Sequence, residues 1–258
     1  MSKSKIILLD FDGVIVDGIC EYWYSSVLAC SKYLNSDHIL SKHTLDLSET
    51  FLQMRPWVKY GWEMVLITHE IIKQKNPLTI NNKDLFLQNY SDSCQRILKE
   101  NSWKSETLQK CLDNARKYQI STNLEEWVSL HRPYPEVIDF IKKAELNNIQ
   151  IGIITTKNKT FTSKILEKYN IFPKFVYGYE SGTKVEIIKK LIYEYEIKGF
   201  IEDRRETLND IINCKETEEI PCFLANWGYL KRKDMLDIPE QMNLIKLNEL
   251  DELLANLA

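Results

Sequence analysis

Three stretches of the chain share one pattern, a short apolar and mostly β-branched run that ends abruptly at a polar residue. They are Ile6-Ile7-Leu8-Leu9 before Asp10, Ile149-Gln150-Ile151-Gly152-Ile153-Ile154 before Thr155, and Gly199-Phe200-Ile201 before Glu202 and Asp203. Nearly continuous apolar runs of this length suit strands buried on both faces, as in a parallel sheet with helices on each side. The neighbouring segments follow a helical period instead. Pro135 to Asn147 places Val137, Ile138, Ile141, Ala144 and Glu145 at helical spacing, and Val185 to Glu196 repeats Ile187, Ile188, Leu191, Ile192 and Tyr195, which predicts a helix over each. From residue 132 onward the alternation reads as α/β.

Between about residues 18 and 131 the strand pattern vanishes and long amphipathic stretches rich in Trp, Tyr, Leu and Lys take over. Asn81 to Asn101 and Trp103 to Tyr118 are predicted helices, with Asn82 and Ser102 at their N-cap positions. Val16-Asp17-Gly18 marks one crossing into this region, and the stiff, extended Arg132-Pro133-Tyr134-Pro135 marks the other. The expected organisation is therefore an α/β core of residues 1–17 and 132–258, interrupted after its first strand by an all-helical insert of domain scale, residues 18–131.

The 258 residues are 44% apolar and 28% charged, an ordinary globular balance, and 34 basic against 37 acidic side chains leave a net charge of −3. That balance lacks the basic footprint needed to neutralise a run of phosphates, so nucleic acid is not the expected partner. The longest apolar runs fall far short of a bilayer span, and the start MSKSKIILLDFDG is interrupted by Asp10 and Asp12 before a secretory core can form. A cytoplasmic protein with no membrane partner is expected. The six cysteines (Cys20, Cys30, Cys94, Cys111, Cys214 and Cys222) are scattered without a zinc-ligand spacing and read as reduced thiols, and the four histidines show no HExxH or HxH spacing.

Chemistry is then expected beyond the carboxyl ends of the strands, where ligands bind in open parallel sheets. Asp10 and Asp12 follow the first strand, Thr155 and Thr156 the second, and Glu202 and Asp203 end the third, while Lys184 opens the preceding helix. Two carboxylates two residues apart beside Gly13, with Asp203 as a third, suit a hard divalent cation, Mg²⁺ better than zinc. Thr155 and Lys184 would then meet the oxygens of a bound phosphate. Each residue alone has a plainer reading, as a strand-end turn, a helix cap or a solvated lysine; their order in the chain promotes them.

The run Asp-Phe-Asp-Gly-Val-Ile-Val-Asp at residues 10–17 resembles the first motif of the haloacid dehalogenase superfamily of phosphohydrolases. Thr155 in GIITTK, Lys184 in ESGTKVEIIKK and Asp203 in GFIEDRRETL match the later motifs in order, Lys184 lying 29 residues after Thr155 and Asp203 19 residues after Lys184. The resemblance implies a Rossmann-like core with an inserted helical cap. It also implies a nucleophilic Asp10 that forms an aspartyl-phosphate and an Asp12 that acts as general acid and base. Thr155, Thr156 and Lys184 would hold the phosphoryl group, and Mg²⁺ would sit on Asp10, the backbone carbonyl of Asp12, and Asp203. The presence of Asp12 favours a phosphatase over a dehalogenase.

One departure stands out. Glu202 replaces the family's Gly before Asp203, and Thr207 replaces a later Asp, so Glu202 or Glu206 becomes a candidate to supply the missing carboxylate, Glu202 from behind the metal ligands. Arg55, in Arg55-Pro56-Trp57, is a candidate substrate contact from the insert, although Pro56 and the aromatics nearby suit a helix start and a core. Asp17 suits a hinge. The expected substrate is a small phosphorylated metabolite and the expected state a monomer or small homo-oligomer. The alternatives are a phosphomutase, a phosphonate hydrolase with a Schiff-base lysine among Lys32, Lys42, Lys59 and Lys73, a phosphate-accepting signalling module, and a catalytically silent phosphate-binding member of the superfamily. Ser181 sits one place too late for a serine-hydrolase elbow, and no dinucleotide or P-loop glycine motif occurs.

Overall fold

The computed structural model describes residues 3–34, 46–73 and 83–257. Asn82 and Lys42 lie outside the described residues. By backbone proximity the chain divides into two compact units, residues 1–17 with 132–258 and residues 18–131.

The first unit is built on a parallel sheet of six strands: β1 (Ser4–Leu9), β4 (Gln150–Ile154), β5 (Phe175–Tyr177), β6 (Tyr195–Glu202), β7 (Cys222–Ala225) and β8 (Met242–Ile245). Their spatial order is β5-β4-β1-β6-β7-β8, and every pairing is parallel. The chain fills the sheet outward from β1 in one direction and then in the other. This reversal places a topological switch point at the carboxyl end of β1, the place where such sheets open a crevice. A separate antiparallel pair joins β2 (Val16–Asp17) to β3 (Arg132–Pro133), so the two crossings between the units run side by side.

Helices α7 (Pro135–Leu146), α8 (Lys159–Lys168), α9 (Lys184–Glu194), α10 (Arg205–Ile212) and α11 (Leu250–Leu257) flank this sheet. On one face Ile187, Ile188 and Leu191 of α9 and Leu208 and Ile211 of α10 pack over Ile6, Leu8, Phe200, Cys222 and Leu224. Ile7 and Leu9 point the other way along β1, as the strand period requires, and are equally inaccessible, so the second face is covered as well. This is the Rossmann-like arrangement expected from the sequence. The predicted helix to Glu196 stops at Glu194, because Tyr195 already pairs with Ser4 as the first residue of β6. Strands β5, β7 and β8, of only three or four residues, show no period of their own in the sequence.

Among the described residues the second unit is all helical: α1 (Ile19–Tyr33), α2 (Glu49–Met54), α3 (Gly61–Ile72), α4 (Lys83–Gln88), α5 (Tyr90–Glu100) and α6 (Ser105–Ser129), with a 3₁₀ turn at Arg55–Trp57 whose first turn holds Pro56. The single helix expected over Asn81 to Asn101 is broken at Asn89, and that expected over Trp103 to Tyr118 continues to Ser129. Ser102 is not an N-cap: it adopts a left-handed φ of 53° in the turn, and Lys104 takes the cap position. Asn123 interrupts α6 with φ −156° and ψ 88°, and its Oδ1 accepts from the Glu126 backbone N–H at 3.1 Å, restarting the helix as a cap would.

Helices α1, α3 and α6 pack against one another, and a buried ion pair joins α1 to α6. The Glu21 carboxylate accepts from two guanidinium nitrogens of Arg116 at 2.8 and 2.9 Å, from the Ser25 hydroxyl at 2.5 Å and from the Trp127 indole at 3.3 Å, with His131 Nε2 at 3.6 Å. Removing one partner of such a pair strands a buried charge. Arg116→Met is therefore expected to destabilise the protein by about 3–5 kcal/mol. Lys143→Ala removes the solvent-exposed pair with Asp251 and should cost under about 1 kcal/mol. Urea denaturation of the two variants checks the contrast.

Candidate active site

The end of β1 is extended by one backbone bond, from Asp10 N–H to the Ile201 carbonyl at 2.9 Å, which aims Asp10 beyond the sheet. The chain then turns sharply. The Ile15 and Val16 N–H groups donate to the Phe11 carbonyl at 2.9 and 3.1 Å, and Gly13 N–H donates to the Val16 carbonyl at 2.8 Å. Gly13 adopts φ +88°, and a Cβ there would stand 2.1 Å from Asp203 Oδ2. Gly228, in the loop after β7, approaches from the other side, where a Cβ would lie 2.2 Å from Asp203 Cβ. The Asp203 carboxylate thus fits between two glycines, and it accepts from the Tyr229 N–H at 2.7 Å. Tyr229 also donates its phenolic O–H to Asp17 at 2.6 Å, which anchors the crossing residue from within the α/β unit.

Lys184 opens α9 behind a capping box formed by Thr183 and Glu186, which fixes where the helix starts. Its ammonium lies 2.7 Å from Asp10 Oδ1 and 2.6 Å from Glu202 Oε2. The other Glu202 oxygen accepts from Arg204 N–H at 3.1 Å. Burial pushes the Asp10 carboxyl above its usual range, against the attraction of Lys184 and with added repulsion from Asp203. Burial also pushes Glu202 well upward, and repulsion from Asp10 adds to it. Desolvation alone would lower Lys184, but the two carboxylates outweigh it and its pKa is raised.

Thr155 is buried, donates its N–H to the Tyr177 carbonyl at 2.9 Å and accepts from Lys157 N–H at 3.0 Å on its hydroxyl, whereas Thr156 is exposed. Asp12 is half-buried, with the Lys157 ammonium 3.5 Å from its Oδ1. Glu206 pairs with Lys231 at 2.5 Å and Arg204 at 3.7 Å, outside the acidic cluster. Arg55 lies buried in the helical unit with its guanidinium over the Tyr22 ring, 4.9 Å from the centroid, and 3.4 Å from the Val58 carbonyl. Of the candidate Schiff-base lysines, Lys32 sits over the Tyr118 ring, Lys59 over that of Tyr60, and Lys73 pairs with Glu70.

One oxygen from each of Asp10, Glu202 and Asp203 can lie within 4.8 Å of the others, the only such grouping of three potential metal ligands among the described residues. Oxygens around a six-coordinate divalent ion at about 2.1 Å stand at most about 4.2 Å apart, so small side-chain adjustments would bring the set around one ion. The charges agree. Asp10, Asp12, Glu202 and Asp203 carry four carboxylates against the ammonium groups of Lys157 and Lys184, a surplus of two negative charges when all are ionised. The donor set thus fits a hard divalent cation, which would also relieve the repulsion that adds to burial in raising Asp10 and Glu202.

The sequence model for haloacid dehalogenase-like hydrolases matches residues 4–208. The chain belongs to the haloacid dehalogenase-like hydrolase family. No curated protein matches the sequence. Among solved structures, a "predicted phosphatase" of Clostridium acetobutylicum is similar at 17% identity and a TM-score of 0.61, over 99% of this chain and 100% of that one. A "predicted phosphoglycolate phosphatase" of Haemophilus somnus gives 14% and 0.61, over 98% of each chain. A haloacid dehalogenase-like family hydrolase of Streptococcus pneumoniae gives 14% and 0.56, over 99% of each chain. At these identities the likeness is one of fold.

Within this family member, Lys157, Gly228 and Tyr229 also stand at the site, and no motif in the sequence singles them out. Lys157 follows Thr155 by two residues, a spacing that was legible, whereas Gly228 and Tyr229 follow β7, a strand too short to recognise. Gly228→Ala is expected to displace Asp203 and weaken Mn²⁺ or Mg²⁺ binding at least about tenfold while the fold is kept. Titration calorimetry, with circular dichroism as the folding control, checks this.

Proposed function

We propose that the chain is a Mg²⁺-dependent phosphohydrolase that removes phosphate from a small phosphorylated metabolite through an aspartyl-phosphate on Asp10. The observation that carries this reading is the pair of carboxylates on one turn beyond β1, each beside its own buried lysine: Asp10 with Lys184 and Asp12 with Lys157. A hydrolase needs two distinct acidic groups here, one to attack phosphorus and one to move a proton.

In this reading an oxygen of Asp10 forms a bond to phosphorus as the bond from phosphorus to the leaving oxygen breaks, and Asp12 gives that oxygen its proton. Asp12, now a carboxylate, takes a proton from water as the water oxygen bonds to phosphorus. The phosphorus–Asp10 bond breaks, inorganic phosphate leaves, and both side chains return to their starting forms. Lys184 offsets charge on Asp10 and on the phosphoryl oxygens, and the Thr155 hydroxyl donates to one of them. Mg²⁺ held by Asp10, Asp203 and the Asp12 carbonyl, with the Glu202 carboxylate within reach of the same ion, would supply positive charge that lets an anionic nucleophile approach an anionic ester.

Residues 18–131 serve as the cap that keeps bulk water from the reaction, entered and left through the paired β2 and β3. No described helix is long and apolar enough to cross a membrane, and the protein is proposed to act in the cytoplasm as a monomer or small homo-oligomer. Phosphate release from a panel of phosphorylated metabolites tests the reading. Turnover should require Mg²⁺ and vanish with chelator; Asp10→Asn should abolish it, and Asp12→Asn should lower it by roughly 10²- to 10⁴-fold on alkyl esters. Activity in Asp10→Asn equal to that of the wild type would overturn the covalent route.

A further inference from the structure

The site contains a lysine for which the steps above have no use. Lys157 is 3% exposed, almost as buried as the strand residues before it, although it belongs to the loop between β4 and α8. A buried ammonium is retained only where something nearby repays its desolvation. Here Asp12 Oδ1 lies 3.5 Å from the ammonium nitrogen.

The loop that carries Lys157 is fixed on both sides. Its N–H donates to the Thr155 hydroxyl at 3.0 Å, and its carbonyl accepts from Tyr179 N–H at 3.4 Å. The next residue, Asn158, caps α8 by accepting from Thr160 N–H at 2.9 Å. Gly178 leaves room for this loop, since a Cβ there would stand 2.7 Å from the Lys157 carbonyl and 2.5 Å from Lys159 N. A backbone held in this way sets the origin of the long side chain and limits where its ammonium can lie. Lys184 cannot substitute for it, because its ammonium is held between Asp10 and Glu202.

We propose that Lys157 is a positioning residue for Asp12: it holds Oδ1 of that carboxyl group, restricts rotation about the side chain and presents the other oxygen to the leaving group. The inference rests on the phosphohydrolase reading above. It assigns the two lysines separate tasks, Lys184 on the nucleophile and Lys157 on the proton donor. A group that positions a proton donor matters only for a leaving oxygen that needs the proton, and this separates it from a lysine that binds phosphate or supports the loop.

The test compares kcat/KM of wild type and Lys157→Met on two monoesters: an alkyl phosphate, whose alkoxide must be protonated as it leaves, and p-nitrophenyl phosphate, whose phenolate need not be. Because kcat/KM covers steps only through cleavage of the ester, later hydrolysis of the aspartyl-phosphate does not enter. The expected loss is about 100-fold on the alkyl ester and under about threefold on the aryl ester. Lys157→Arg should recover part of the alkyl activity, and Asp12→Asn/Lys157→Met should be no slower on that ester than Asp12→Asn alone. Equal losses on both esters, or none on either, would overturn the assignment while leaving the phosphohydrolase reading intact. Should Lys157→Met fail to fold, the same ester comparison on Lys157→Arg and Lys157→Gln decides it by the same criterion. A wild-type protein that hydrolyses neither these esters nor any metabolite of the panel would instead overturn the underlying reading, and this assignment with it.

Discussion

Lys184 holds its ammonium group within 2.7 Å of Asp10 and 2.6 Å of Glu202, at a depth where all three side chains are nearly closed to water. Desolvating three charges is expensive, and one ammonium cannot balance two carboxylates, still less Asp203 beside them. Burial, with mutual repulsion among the carboxylates added to it, displaces Asp10 and Glu202 upward. A hydrophobic core would be the more stable filling for this position. The arrangement makes physical sense as a place prepared for added positive charge, and a divalent cation matches the excess in both sign and size.

The fold delivers these charges to one point by simple means. A parallel sheet lines up all its carboxyl ends, and filling it outward from β1 in both directions leaves β4 and β6 on either side of the same strand. Residues that end three strands therefore converge without long connections. The tighter tolerances lie in the turns. Asp203 fits only because Gly13 and Gly228 carry no side chains where they pass it, and the left-handed φ of Gly13 sends the chain back toward β2 within a few residues.

How much of this was legible in the sequence depends on the kind of signal. The strands that end in Asp10, Thr155 and Glu202 announced themselves because a buried apolar run broken by a charge is hard to explain otherwise, and the same break pointed to the side chains of interest. Glu202 entered as a departure from a family pattern, while its geometry is that of a direct partner of Lys184. The three short strands β5, β7 and β8 were not visible, since three or four residues cannot show a period and their pairing is supplied by neighbours distant in sequence. The glycine and tyrosine after β7 were hidden for the same reason. In the helical unit the period was clear but the ends were not. Lone Asn residues at 89 and 123 redirect the backbone locally, which a periodic apolar face cannot report.

The two units also show opposite uses of buried charge. Glu21 in the helical unit is met by a bidentate guanidinium, a hydroxyl and an indole N–H, so its charge is neutralised and its lone pairs are occupied by side chains of the same unit. Such a network favours one arrangement of α1 and α6, because any slip between them would strand a buried charge. At the end of the sheet, with every group ionised, the carboxylates of Asp10, Asp12, Glu202 and Asp203 outnumber the nearby ammonium groups of Lys157 and Lys184 by two. The contrast between Glu21 and the Asp10, Glu202 and Asp203 cluster therefore marks the cluster as the place where added positive charge would be most favourable.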